Sequence, residues 1–423
     1  MLFSLTTRLR SRALLRPAVL LWLVYALFVV CGVSQSAIVP LLPHLSQRYG
    51  LTSSETALLL ALPGLATLAV SVPSGLAADR YGARRVTLAA GLLLCVSAVA
   101  QSGQSLWLLL AGRIAFGVAF GVVWTTGVAW LAEIDDRPGG ARLGPSVTCS
   151  SVGVMFGPAV GGILGQADGT SLPFLLIAAV SAAVLVPLAL GSTTVRRARH
   201  AAAESRPAGE AMFETQRRRK LRAAVDLARR PGFAAAAGGM MISGAVSGSS
   251  QLLITSGLHG DGISTGRIGL AFSAAAVCYI AVSVAILRLG ERARNTRFNA
   301  LAASVAALAM VPALASGGAP ALVAALFLCS IPRAAVSTIA YSLTSMPAAG
   351  DGDGFIIGLL NGAWAGAMVL TPVVAGALEQ HGGAQLAYLA VIVPCALIAT
   401  GLIVGARPWA SRAGARPAPP VSA

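Results

Sequence analysis

Residues 144–162 read GPSVTCSSVGVMFGPAVGG, a run without one charged side chain, punctuated by Gly144, Gly153, Gly157, Pro158, Gly161 and Gly162. Glycine recurs every fourth residue at 153, 157 and 161. On a helix of 3.6 residues per turn these three share one face and leave it bare of side chains. Pro158 lacks an amide, so it frees the carbonyl four residues back and bends the helix. A bare face lets a second helix approach to backbone contact, the way helices associate in lipid, where apolar side chains gain nothing by leaving the solvent.

The composition around this stretch agrees. Of 423 residues, 56% are hydrophobic and 11% charged, against about 25% charged in soluble domains. The apolar residues come in runs long enough to cross a bilayer, which takes about 20 residues. Twelve such spans are predicted: 18–43, 53–78, 86–103, 105–131, 143–166, 171–191, 232–257, 265–289, 297–316, 319–344, 353–378 and 384–406. The narrowest division is Gln101–Ser105, between the third and fourth. The first run exceeds the about 7–15 residues of a signal-peptide core and ends in no small-x-small site, so it is expected to be retained. Cys31, Cys95, Cys149, Cys278, Cys329 and Cys395 each sit in an apolar run, with no CxxC pair. They read as packing residues rather than disulfides or metal ligands.

The net charge of +16 raises the question of nucleic acid, which the placement of the charge answers. With the N-terminus inside, every Arg and the single Lys, Lys220, fall on inner segments except Arg48, Arg113, Arg267 and Arg333. That bias places both termini in the cytoplasm and makes the charge topological. Residues 192–231 are the one long polar segment and divide six spans from six. The expected architecture is an all-α membrane protein of twelve transmembrane helices in two six-helix bundles, 1–191 and 232–423, joined by the basic linker 192–231. A solute site is expected near midplane between them. Arg217–Arg230 would suit either an interfacial helix or a solvated linker.

Three further patterns carry chemistry. The loop after the second span reads GLAADRYGARR, Gly75–Arg85, with Asp79 placed to accept from a helix N-terminus and Gly82 at a reversal. The fourth span carries Arg113, Gly117 and Gly121 at spacing four; Arg113 lies inside the bilayer, where it snorkels outward, bonds carbonyls or serves transport. The first span ends in PLLP, Pro40–Pro43.

These residues resemble the major facilitator superfamily, in its twelve-helix drug–proton antiporter branch. Gly75, Asp79, Arg80, Gly82 and Arg84 resemble its G-x-L-A-D-R-x-G-R-R signature, with Ala77 and Ala83 departing from it, and GERARNTR from Gly290 is a worn second copy. The resemblance implies that Asp79, Arg80 and Arg84 belong to a cytoplasmic gating latch and that Arg113, through an R-x-x-x-G motif, serves proton coupling; Asp79 and Glu133 are the carboxylates nearest the inner mouth, and the proton is carried by one of them or by the substrate. The six positions from Gly144 to Gly162 match the family's antiporter motif G-x8-G-x3-G-P-x2-G-G in full, which implies export. Gly358, Gly362, Gly366, Thr371, Pro372 and Gly376 echo it in the eleventh span. The expected function is a secondary active transporter exporting a small amphiphilic drug or metabolite by proton antiport and alternating access. Its setting would be the bacterial cytoplasmic (inner) membrane, as a monomer with no cofactor, no metal and no nucleic acid, driven by the proton gradient.

The expected solute contacts are Gln35, Phe120, Trp124, Met155, Gln251, Tyr279, Arg333, Asn361 and Trp364, with Arg113 close by. No Asp or Glu lies mid-span, so two arginines without a carboxylate would favour neutral or acidic solutes. An importer of the same fold is the alternative. An ATP-driven pump would need G-K-[ST], and Leu221 follows the one lysine. A membrane enzyme is the remote alternative: GISTG, Gly262–Gly266, has the nucleophile-elbow spacing, but Ser264 or Thr265 reads better as a helix N-cap. His44, His200, His259 and His381 are too scattered to suggest a metal site. The inner placement of the linker has a direct test. Cysteines introduced as His200→Cys and Gly209→Cys in a cysteine-free chain should react with an impermeant maleimide only after the cells are permeabilised.

Overall fold

The computed structural model describes residues 17–134, 139–168, 170–191, 231–289, 296–344 and 353–406. The basic stretch 217–230 and Asp135, Asp136, Glu291, Arg292 and Asp351 lie outside them. Every regular element among the described residues is a helix. Ten helical stretches are long and apolar enough to cross a membrane. Nine match single predicted spans, and the last, Leu359–Val404, is 46 residues long and holds two. Within its helix, Asp353–Ala406, Gly383 at φ 75° and ψ −178° breaks the ladder, which is where the eleventh and twelfth spans divide. The predicted seventh span is helical as well but interrupted, as Pro231–Ser249, a π turn at Ser250–Ile254, and Thr255–Gly260. Trp107 and Leu397 are 79% and 69% exposed among many outward leucines and valines, a surface that suits lipid rather than water.

The described helices fall into two compact units: Met1–Gly209 with Leu258–Ala276, and Glu210–Gly257 with Val277–Ala423. The eighth span, Thr265–Leu289, is shared between them.

In the first unit the opening span is Pro17–Ser36, tightened to a 3₁₀ turn at Val39–Leu41 and resumed as Leu42–Tyr49. Pro40 and Pro43 remove amides from the ladder, so the PLLP turn cannot stay α-helical. The second span, Ser53–Tyr81, starts from a capping box in which Thr52 and Glu55 each accept the other's amide. The third, Ala83–Gln101, starts after Gly82, whose φ of 87° suits glycine. The fourth is Leu106–Val122, a π turn at Val123–Gly127, and Val128–Ile134. The fifth is Gly139–Asp168 and the sixth Ser171–Gly191.

The bare face of the fifth span meets the first span backbone to backbone. A Cβ on Gly153, Gly157 or Gly161 would fall on the Val29 carbonyl oxygen, the Ser36 hydroxyl or the Ala37 carbonyl oxygen. Gly32 returns the contact: its Cβ would strike the Ser150 carbonyl. Gly162 faces another way, onto Gly266 and Gly269 of the eighth span, where its Cβ would come within 2.6 Å of the Thr265 carbonyl.

In the second unit the ninth span is Thr296–Leu308 continued by Val311–Ser316, and the tenth is Ala319–Thr344. The seventh and eleventh spans touch as closely as the first and fifth, with the glycines exchanged. Gly244 and Gly248 of the seventh lie against the carbonyls of Trp364 and Met368. Gly362 and Gly366 of the eleventh-span echo meet nothing within 4 Å, so these two make no comparable contact.

The two kinds of glycine should respond oppositely to a methyl group. Gly161→Ala forces one helix off another and is expected to cost about 1–3 kcal/mol. Gly366→Ala adds a methyl in open space and should stay within about 0.5 kcal/mol of wild type or gain from helix propensity. Thermal unfolding of both variants in the same detergent measures the contrast.

Candidate functional site

Two prolines organise the interior of the first unit. Pro158 cannot donate to Val154, and the Val154 carbonyl receives the Ser36 hydroxyl at 3.0 Å, which it shares with the Gly32 carbonyl, also at 3.0 Å. One residue on, the amide of Ala159 donates to Ser273 Oγ of the eighth span at 3.0 Å. The bend is therefore tied to the first span on one side and to the eighth on the other. Pro63 does the same for the second span. It cannot donate to Leu59, and Arg113 Nε donates to the Leu59 carbonyl at 2.9 Å. Gly117 packs directly on Pro63, and Thr67 Oγ1 donates to the Gly117 carbonyl at 2.8 Å.

Arg113 does not snorkel: it is 2% exposed, the bulkiest fully enclosed side chain. Its guanidinium carbon stands 5.5 Å from the Phe116 ring centroid, and Nη1 is buried without a partner. From Phe116 an aromatic row continues to Phe120 (centroids 5.7 Å), Trp124 (6.1 Å) and Phe28 of the first span (5.0 Å, edge-on). Trp124 stands in the π turn with its indole N–H buried and unpartnered. π turns recur at functional sites, and the seventh span has the second one, which carries Gln251. Gln251 Nε2 reaches Ser247 Oγ at 3.5 Å. Phe28 is a contact that sequence reasoning missed, since one phenylalanine in an apolar run gives no signal of its facing.

In the second unit Arg333 lies mid-way along the tenth span, its guanidinium carbon 5.0 Å from the Tyr279 ring centroid. Nε is buried without a partner, and no hydrogen bond or ion pair to Arg333 exists among the described residues. A cation–π contact contributes about 0.5–2 kcal/mol, whereas a central arginine costs at least about 2.5–3.5 kcal/mol. Tyr279 leaves part of that cost uncompensated.

A family model described as Major Facilitator Superfamily matches residues 24–266. The chain belongs to this superfamily. An uncharacterized MFS-type transporter of Schizosaccharomyces pombe is 33% identical over 140 residues, 31% of each chain. The class C tetracycline resistance protein of Escherichia coli is 33% identical over 167 residues, 37% of this chain and 42% of that one. The multi-drug resistance efflux pump PmrA of Streptococcus pneumoniae is 26% identical over 152 residues, 34% and 38% of the two chains. The match thus spans about a third to two fifths of these relatives' lengths. Among solved structures, a bacterial homolog of the human lysosomal transporter Spinster superposes with a TM-score of 0.75 at 14% identity, covering 92% of this chain and 97% of that one. That likeness concerns the fold.

Membership of the superfamily points to a transporter rather than to the enzyme alternative. GISTG opens the eighth span, whose helix starts at Thr265, and has no strand before it among the described residues. His44 and His259 do come together, lining a cavity of about 330 Å³ with Gln166 and Ser264, and Gln47 Nε2 meets His259 Nε2 at 3.0 Å. Of the remaining expected site residues, Gln35 and Met155 are half-buried, and Asn361 is exposed. Trp364 packs on the apolar cluster of Ala236, Met240, Ala340 and Leu360. Asp79 is exposed, with no hydrogen bond among the described residues. Arg80 lies over Tyr81 at 5.3 Å. Arg84 Nη2 reaches the Ala189 carbonyl at 3.4 Å, a cation at the C-terminal end of the sixth span. Glu133 is exposed near the end of the fourth. Gly144 lies in the fifth helix.

A double-mutant cycle tests the tie at Pro158. Ser36→Ala alone orphans the Val154 carbonyl and should cost about 1–3 kcal/mol in detergent unfolding. In a Pro158→Ala background, where residue 158 regains its amide, the same change should cost markedly less.

Proposed function

We propose that this superfamily member exports a small amphiphilic drug or metabolite by proton antiport, alternating its access between two six-helix halves, 1–191 and 232–423. The observation that carries export is the fifth span's motif, matched at all six positions from Gly144 to Gly162, with Gly153, Gly157 and Gly161 forming the bare face against the first span. A contact of backbone on backbone can form and part without rearranging side chains, which suits the moving end of an alternating-access cycle. The packing of Gly162 on Gly266 and Gly269 supports giving the fifth and eighth spans that role. The likeness to a tetracycline resistance protein and to the multi-drug efflux pump PmrA supports export of antibiotics or similar molecules.

Proton carriage falls to Asp79, to Glu133 or to the substrate itself in this reading. Arg113 then acts by holding the second and fourth spans together beside the aromatic row. Phe120, Trp124, Gln251, Tyr279 and Arg333 line the solute path, joined by Gln35, Met155, Asn361 and Trp364. The setting is the bacterial inner membrane, with the termini cytoplasmic and the protein working as a monomer without cofactor.

Everted membrane vesicles from a pump-deficient bacterium provide the test. With a respiration-driven proton gradient, adding a transported antibiotic should collapse part of the gradient and load the vesicles, and a protonophore should abolish the loading. Solute accumulation by right-side-out vesicles instead would replace export with import. Flux indifferent to the gradient would remove the antiport.

A further inference from the structure

We propose that Arg333, with one face on the Tyr279 ring, is the binding subsite for the carboxylate of a monoanionic amphiphile. The inference rests on the solute path proposed above but not on the direction of transport.

The two intramembrane arginines look equivalent in sequence, and the structure separates them. Arg113 is enclosed and already donates to the carbonyl that Pro63 frees. Arg333 also neighbours a proline, Pro332, yet makes no hydrogen bond to any carbonyl among the described residues, and its Nε is buried and unpartnered. The residue nevertheless keeps partial exposure. Tyr279 stands near the middle of the eighth span, at 5.0 Å from the guanidinium carbon. The Tyr279 ring occupies one side of the guanidinium carbon, and the N–H groups left without a partner suit a planar carboxylate, which takes two parallel hydrogen bonds from an arginine fork.

The charge count selects the ligand class. No ion pair reaches Arg333 among the described residues, so one positive charge awaits one negative charge. A monoanion neutralises it. A dianion such as phosphate would leave a net charge in a medium of low dielectric, and a cation would add to the one already there. The aromatic wall beside the charge favours a carboxylate that carries an apolar body.

Binding to the purified chain in lipid nanodiscs tests this independently of flux. The probes are radiolabelled salicylate, its neutral isostere salicylamide, and phenyltrimethylammonium. Salicylate should bind more tightly than either of the others, and Arg333→Gln should weaken it at least about tenfold. Arg333→Lys, which keeps the charge but loses the fork, should fall between. Tyr279→Phe should retain binding and Tyr279→Leu should weaken it. Salicylamide binding should not respond to Arg333→Gln, so a general loss of folding is recognised by its loss too, and the wild-type contrast between salicylate and salicylamide still decides the matter. Equal affinity of the wild type for salicylate and salicylamide, failure to bind salicylate, or salicylate binding unchanged in Arg333→Gln would each overturn the subsite. In those cases a gradient-coupled flux of neutral drugs in vesicles would leave the transport reading standing.

Discussion

A backbone carbonyl released by proline inside a bilayer has no water to turn to, and the first unit is assembled around that constraint. Each unsatisfied group costs several kcal/mol in hydrocarbon. Pro158 releases Val154, and Ser36 of the first span supplies the missing donor. Pro63 releases Leu59, and Arg113 of the fourth span supplies it. The kinks therefore specify which helices must be neighbours, since only the right partner brings a donor to the exposed carbonyl. Proline here sets tertiary contacts by removing a hydrogen bond that another helix must restore.

Such ties require very short separations between helix axes, and the glycines provide them. Gly153, Gly157 and Gly161 bring the fifth span onto the first, close enough for a serine hydroxyl to reach across. Gly117 and Gly121 bring the fourth onto the second, close enough for Thr67 to donate to the Gly117 carbonyl. In the second unit the same closeness comes from Gly244 and Gly248, on the other member of the pair. The physical requirement is one bare face per contact, and it is met from either helix.

Against this background the two buried cations differ in kind. Arg113 completes a backbone tie and anchors an aromatic row that runs through Phe116, Phe120 and Trp124 to Phe28. Arg333 completes no tie among the described residues and leans on Tyr279. A charge mid-way along a span, with an aromatic wall and no fixed partner among the described residues, is the arrangement expected of a group that meets its counter-ion transiently.

The sequence alone determined the number and length of the spans, because a bilayer demands about 20 apolar residues per crossing and this chain meets that demand run after run. It also determined the bare face of the fifth span, because the spacing of glycines along a helix dictates the face they share. It did not reveal the π turns that place Trp124 and Gln251, since no residue pattern announces a single added residue in a helical turn. Nor did it reveal which glycines touch anything: Gly161 and Gly366 belong to similar strings, yet one lies on a carbonyl and the other faces open space. The choice between Arg113 and Arg333 was equally invisible. Each is an arginine within an apolar run, and only the position of a second helix decides whether its guanidinium finds a carbonyl. Local periodicity is written along one helix, whereas a hydrogen bond between helices depends on axis distance and rotation, which the packed structure alone sets.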